Sequence, residues 1–154
     1  MTSEEVKLIL NKACEKDYTI CSVRGRREKR ELFLLLSFMY YSHLKMVDVL
    51  KLKPKNICRE GGWYYSDRHK RAMGFIIYKD FYPILMANIV FNKIKENDFI
   101  ITTKRRALIY AFKQIAAENG IKDCRITDVL YAGERDNADI KKPYIIEENE
   151  MFLL

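Results

Sequence analysis

Apolar positions along the chain fall into helical and extended runs separated by charged turns. Near the N-terminus, Val6, Ile9, Leu10 and Ala13 recur at the spacing of one helix face. Thr2-Ser3-Glu4-Glu5 precedes them as a capping box, a hydroxyl set three residues before a carboxylate. The pattern predicts a first helix of about three turns, then a connector from Asp17 to Val23. The densest apolar stretch runs from Arg30 to Lys55. Its residues Leu32, Phe33, Leu34, Leu35, Leu36, Phe38 and Met39 leave almost no polar face, which predicts a helix buried on nearly all sides. The run is too short to cross a bilayer. Ser42-His43 breaks it with a polar turn. Lys45 to Leu52 then returns as a short amphipathic helix with Met46, Val49 and Leu50 on one face. Pro54 ends that helix, because proline disfavours helix in the residue before it.

Beyond Pro54 the pattern becomes extended. Asn56 to Glu60, a Gly61-Gly62 turn and Trp63-Tyr64-Tyr65-Ser66 predict strand, turn and strand. Asp67 to Arg71 is a charged turn, and Ala72 to Tyr78 a third strand. The expectation is a small three-stranded antiparallel sheet with a basic tip. Asp80 as cap, Pro83 in the first turn, and Ile84, Leu85, Asn88, Phe91 and Ile94 predict another helix. A loop from Lys95 to Asp98 and a short extended Phe99-Ile100-Ile101 follow. A long helix is predicted from a cap at Thr102 or Thr103 to Glu118, with Ala107, Leu108, Ala111, Phe112 and Ile115 inward and Asn119-Gly120 as its stop. Ile126 to Tyr131 predicts a last short helix, and Gly133 to Ala138 a polar turn. The tail from Glu147 to Leu154 is acidic, then apolar. The whole reads as an α+β chain, mainly α-helical, forming one domain over residues 1–154 without repeats or an internal linker.

Composition narrows the function. With 154 residues, 49% of them apolar, the chain can bury a real core and is not disordered. A net charge of +7 favours an anionic partner, nucleic acid being the commonest. Cys14, Cys21, Cys58 and Cys124 make no C-x-x-C pair, and His43 and His69 supply no zinc-ligand spacing, so neither metal nor cofactor is expected. Reduced cysteines and the lack of a signal-like N-terminus predict an intracellular, cytoplasmic protein.

The cations are clustered. Arg24, Arg26, Arg27, Lys29 and Arg30 surround Gly25 just before the buried helix, opposed only by Glu28, and are candidates for phosphate contact. Arg68 and Arg71 flank Lys70 at the hairpin tip. Lys104, Arg105 and Arg106 open the long helix, where cations oppose the helix dipole unless an anion docks. Trp63, Tyr64 and Tyr65 suit either base stacking or the core of a small sheet.

In order and spacing these parts resemble the catalytic domain of the tyrosine recombinases, the phage-integrase family. The family's T-G-L-R-x-x-E-L-L-x-L segment is matched by Ser42-His43-Leu44-Lys45-Met46-Val47-Asp48-Val49-Leu50-Lys51-Leu52, with Lys45 in place of the first catalytic arginine and Asp48 at the acid. Lys70, or alternatively Arg68, matches the catalytic lysine of the hairpin. Thr103-Lys104-Arg105-Arg106 matches H-x-x-R, keeping the arginine and losing the histidine. Leu130-Tyr131-Ala132-Gly133 stands at the L-G-H turn, and Tyr144 at the nucleophile.

The resemblance implies a helical bundle carrying the three-stranded sheet, without the family's separate N-terminal DNA-clamping domain. It implies double-stranded DNA as partner, and a second copy or a partner recombinase reached through the C-terminal tail. The implied chemistry is metal-free: the Tyr144 hydroxyl attacks a DNA phosphodiester, Lys70 protonates the leaving oxygen, and Arg106 and Lys45 hold the phosphate. Lysine is a point charge where arginine offers a two-pronged fork. The implied enzyme is therefore diverged and impaired, unless Arg105, Arg125 or Arg135 compensates. The alternative is an inactive DNA-binding accessory or regulator of the same fold.

Overall fold

The computed structural model describes residues 1–14 and 23–147, with side chains described outside residues 23–29. The predicted capping box opens α1 (Ser3–Cys14): the Thr2 amide donates to Glu5 Oε1 at 2.9 Å, and the Glu5 amide donates to Thr2 Oγ1 at 3.1 Å. Val6, Ile9, Leu10 and Ala13 are its buried face, as the spacing predicts. The central helix, α2 (Val23–Ser42), starts earlier than the apolar run. The cluster Arg24 to Arg30 is therefore part of this helix and does not precede it. Leu32, Leu34, Leu35, Leu36, Phe38 and Met39 are all fully buried.

His43 ends α2 in the left-handed region, at φ 58°, which a non-glycine residue adopts only when held there. Its Nε2 lies 3.0 Å from the Asn137 carbonyl and 3.1 Å from that of Ile140. Both neighbours accept, so Nε2 carries the proton and donates. His43 thus joins the turn after α2 to the segment behind the last helix. The helix expected from Lys45 to Leu52 contracts to a single turn, α3 (Met46–Val49). A 3-10 helix (Pro54–Asn56) leads from there into the sheet.

The sheet has four antiparallel strands in the order β1 (Ile57–Cys58), β2 (Gly61–Ser66), β3 (Arg71–Ile76), β4 (Tyr144–Ile145). This corrects two expectations. Gly61 and Gly62 are not a turn but the start of β2. A β-carbon on Gly61 would sit 2.0 Å from the Phe75 carbonyl oxygen, and one on Gly62 2.2 Å from that of Asn56. The glycines are there for close backbone approach. The fourth strand, β4, has only two residues and follows Lys141-Lys142-Pro143, so no alternation announces it. Alternation sends Tyr64, Met73 and Phe75 to the core and leaves Trp63, Tyr65, Gly74 and Tyr144 on the outer face. Phe38 links α2 to the sheet, meeting Phe75 at 6.2 Å and Phe81 at 5.1 Å in edge-on contacts.

The remaining helices are α4 (Tyr82–Phe91), α5 (Arg105–Glu118) and α6 (Thr127–Asp136). Asp80 does not cap α4; Phe81 holds that position, and the Tyr78 hydroxyl bonds to Asp80. Residues 99–101 form no strand, although the Ile100 amide donates to the Leu52 carbonyl at 3.0 Å. α5 ends as predicted. Gly120 is left-handed at φ 73°, the Ile121 amide bonds to the Ala116 carbonyl, and the Gly120 amide to that of Ala117. Of the polar turn expected at Gly133–Ala138, Gly133 to Asp136 instead complete α6, and only Asn137 and Ala138 turn. Gly133 faces Tyr40 of α2 so closely that a β-carbon there would lie 2.3 Å from the Tyr40 carbonyl oxygen. The fold is thus α+β and mainly helical, with six α-helices and a small open four-stranded antiparallel sheet among the described residues. No described helix is long and apolar enough to cross a membrane.

Candidate nucleic-acid interface

The β2–β3 hairpin carries its cations at its tip. Lys51, just past α3, pairs with Asp67, and the His69 amide donates to Ser66 Oγ at 3.2 Å. Lys70 turns the chain at φ 52°. Arg68, Lys70 and Arg71 are exposed, and none pairs with a carboxylate among the described residues. Lys45 is exposed at the N-cap position of α3, where no side chain caps the helix.

Asp48 follows Lys45 in α3 and is half-buried. Burial raises its carboxyl above the usual range, while Lys51 and Lys45 pull it down; Asp67 and His69 also act on it. Tyr64, beneath in the sheet, is pushed up to about 12 by burial and then by Asp48. Asp48 therefore feels Lys45 and Lys51 and, from the hairpin, Asp67 and His69.

The first turn of α5 presents a second set. Lys104 occupies the N-cap position, and Lys104, Arg105 and Arg106 are all exposed without ion-pair partners among the described residues. Neither Thr102 nor Thr103 caps this helix. Both bind Glu31 of α2, which is 1% exposed. Its Oε1 accepts from the Thr102 amide at 2.6 Å and the Thr102 hydroxyl at 2.9 Å; its Oε2 accepts from the Thr103 amide at 3.1 Å and hydroxyl at 2.6 Å. Four donors, and no cation among the described residues, satisfy this carboxylate, and they fix the start of α5 to the central helix.

Tyr144 stands on β4, not on a helix. Its ring lies over Gly74, where a β-carbon would come within 2.6 Å of Cζ. Lys141 Nζ covers the ring at 4.0 Å from its centroid. No hydrogen bond or ion pair joins Lys45, Lys70, Arg106 and Tyr144 to one another. Arg30 is half-buried and donates to Asn92 Oδ1. Arg24, Arg26, Arg27 and Lys29 have side chains outside the described residues, though their backbone lies in α2. Of the proposed compensating arginines, Arg105 and Arg125 are exposed, whereas Arg135 is taken up by Asp136 at 2.8 Å and the Met1 carbonyl at 2.9 Å.

Sequence reasoning missed Glu31, Lys51 and Lys141. A carboxylate directly against the apolar run was the available signal for Glu31, because a buried charge needs partners. Nothing local marks the other two. Among the described residues no group of three or more His, Cys, Asp or Glu side chains could hold a metal ion. Compared with known proteins, the chain matches no family model and no curated sequence.

Proposed function

We propose that the chain is a DNA-binding protein of the tyrosine-recombinase type, acting in DNA recombination or integration with a diverged and impaired active site. The observation that carries this reading is the set of exposed cations Arg68, Lys70, Arg71, Lys104, Arg105 and Arg106, without ion-pair partners among the described residues, on the β2–β3 hairpin and an anchored helix start. Cations carried on ordered backbone suit a regular phosphate backbone, which they neutralise with release of counterions. In the cleavage step the Tyr144 hydroxyl gives up its proton to water and attacks the phosphodiester, the P–O5′ bond breaks as Lys70 protonates the departing 5′-oxygen, and a 3′-phosphotyrosyl link forms. Lys45 and Arg106 hold the non-bridging oxygens. Loss of one such donor typically lowers the rate on the order of a hundredfold.

A second reading, DNA binding without cleavage by an accessory protein of the same type, is favoured by one observation. The Tyr144 ring is packed between Gly74 and Lys141 on the outer face of the sheet.

Binding to a double-stranded oligonucleotide is expected to weaken linearly on a log–log salt plot. Replacing Lys104, Arg105 and Arg106 with alanine lowers the slope by about 0.9 for each phosphate that is no longer neutralised. Salt-insensitive binding, or none, overturns both readings. A nicked suicide substrate then separates them. A covalent adduct on a denaturing gel, absent in Tyr144→Phe, establishes cleavage; salt-sensitive binding with no adduct establishes the accessory role.

A further inference from the structure

The helix α5 (Arg105–Glu118) is buried on one side: Leu108, Ala111, Phe112, Ile115 and Ala116 face the core. At about 100° per residue, Arg106, Tyr110, Lys113, Gln114 and Ala117 share the opposite stripe, about 100° wide. All five are exposed, and the Tyr110 side chain is 69% exposed. None of the four polar side chains among them makes a hydrogen bond or ion pair within the described residues. The helix holds a single carboxylate, Glu118, its last residue, about 18 Å along the axis from Arg106. An ordinary solvated helix face mixes both signs of charge. This one carries cations, a phenol, an amide and a methyl group. The start of the helix is tied to α2 by the Glu31 cluster, with Lys104 and Arg105 exposed beside it.

We propose that this stripe reads base edges in the major groove of duplex DNA, with Tyr110, Lys113 and Gln114 as specificity-determining residues. The inference rests on the DNA reading above and deepens it: Arg106 keeps its phosphate, and the residues that follow it along the stripe read sequence. The side-chain chemistry selects the groove. Each base pair shows a distinct set of donors and acceptors in the major groove, whereas A·T and T·A look alike in the minor groove. The Gln114 amide both donates and accepts, which matches N6 and N7 of adenine. The Lys113 ammonium donates to O6 and N7 of guanine, and the Ala117 methyl suits that of thymine. A helix about 10–12 Å across fits a groove about 12 Å wide. The deep, narrow major groove of duplex RNA does not admit it. From Tyr110 to Ala117 the stripe runs about 10 Å, the length of about three base pairs.

The test is selection of bound duplexes from a pool of random-sequence double-stranded oligonucleotides by the full chain. The affinity of the enriched sequence is then compared with that of its single-base variants at fixed salt. The wild type is expected to enrich a run of about three base pairs that includes adenine and guanine. Gln114→Ala removes no charge, so it is expected to keep the salt dependence and lose about tenfold of discrimination at the adenine. Lys113→Ala is expected to lose a similar factor at the guanine. Both positions are exposed and alanine favours helix, and circular dichroism checks that the fold is intact. Salt-sensitive binding without an enriched sequence overturns this inference and leaves the DNA reading standing. So does an enriched sequence that both variants read as the wild type does. Binding that is absent or insensitive to salt overturns the DNA reading, and this inference with it.

Discussion

Glu31 shows how one side chain fixes the position of a functional surface. Its carboxylate is buried with no cation beside it among the described residues, and the Thr102 and Thr103 amides and hydroxyls donate to both its oxygens. Those threonines immediately precede Lys104, so the cations of α5 are aimed by a hydrogen-bond cluster and not by helix capping. The sequence offered Thr102 or Thr103 as caps because hydroxyls before a helix usually serve that role. A long-range acceptor with a full negative charge outcompetes the local one, which no spacing rule reveals. Glu31→Ala leaves four donors without their acceptor and is expected to cost about 3 kcal/mol or more in urea denaturation. It also loosens the α5 start, so DNA binding weakens more than its unchanged local cations suggest. Glu31→Gln keeps the shape but not the charge, and loses about 1–2 kcal/mol. Equal stability of Glu31→Ala and the wild type would show that the cluster does not latch α5 to α2.

Helices with a clear apolar face were legible at the level of elements: α1, the buried run of α2, and α5 with its glycine stop all follow their patterns. What failed were short or tightly apposed segments. β4 exists because β3 offers an edge, and its two residues carry no period of their own. The glycines misled twice, at Gly61-Gly62 and at Gly133, because glycine marks close backbone approach as often as a turn. Of the candidate site, the clustering of cations was legible from composition, and the hairpin position of Lys70 from the strand pattern. The outer-face location of Tyr144 was not, since it depends on strand pairing far apart in sequence. Gly133 gives the sharpest test at this scale. The atoms a new methyl would meet are the Tyr40 carbonyl oxygen at 2.3 Å and Cα at 2.8 Å, backbone that a rotamer change cannot move. Gly133→Ala must separate α6 from α2, at an expected cost of about 3 kcal/mol in equilibrium denaturation. A conservative Ala132→Gly change, one position along, creates no clash there. If Gly133→Ala unfolds at the same urea concentration as wild type, the helices are not in contact at this point.

At the scale of the whole molecule, two carboxylates set opposite pH dependences in a chain of net charge +7. Asp136 is held far below the ordinary carboxylate range, first by the Arg135 guanidinium and then by hydrogen bonds from Tyr40, at 2.7 Å, and Ser3. A depressed group stabilises the fold fully above its unfolded value of 3.8, and that contribution is lost as pH falls further toward the folded value. Asp48 is the reverse: burial raises it. The folded state therefore takes up its proton first, and stability rises as pH falls through the folded value toward 3.8. The first effect acts below the second, so stability should climb slightly on mild acidification and then drop steeply. Chemical denaturation at fixed ionic strength between pH 7 and 2.5 checks this shape. Asp136→Asn should flatten the acid limb and lower stability at pH 7, because Arg135 and the Tyr40 hydroxyl lose their charged partner. Asp48→Asn should remove the mild rise without touching the acid limb, and should also leave Lys45 and Lys51 less neutralised. If the same variant strengthens DNA binding at low salt while Asp136→Asn does not, Asp48 tempers the positive field of the hairpin side; identical affinity for both variants places that field elsewhere.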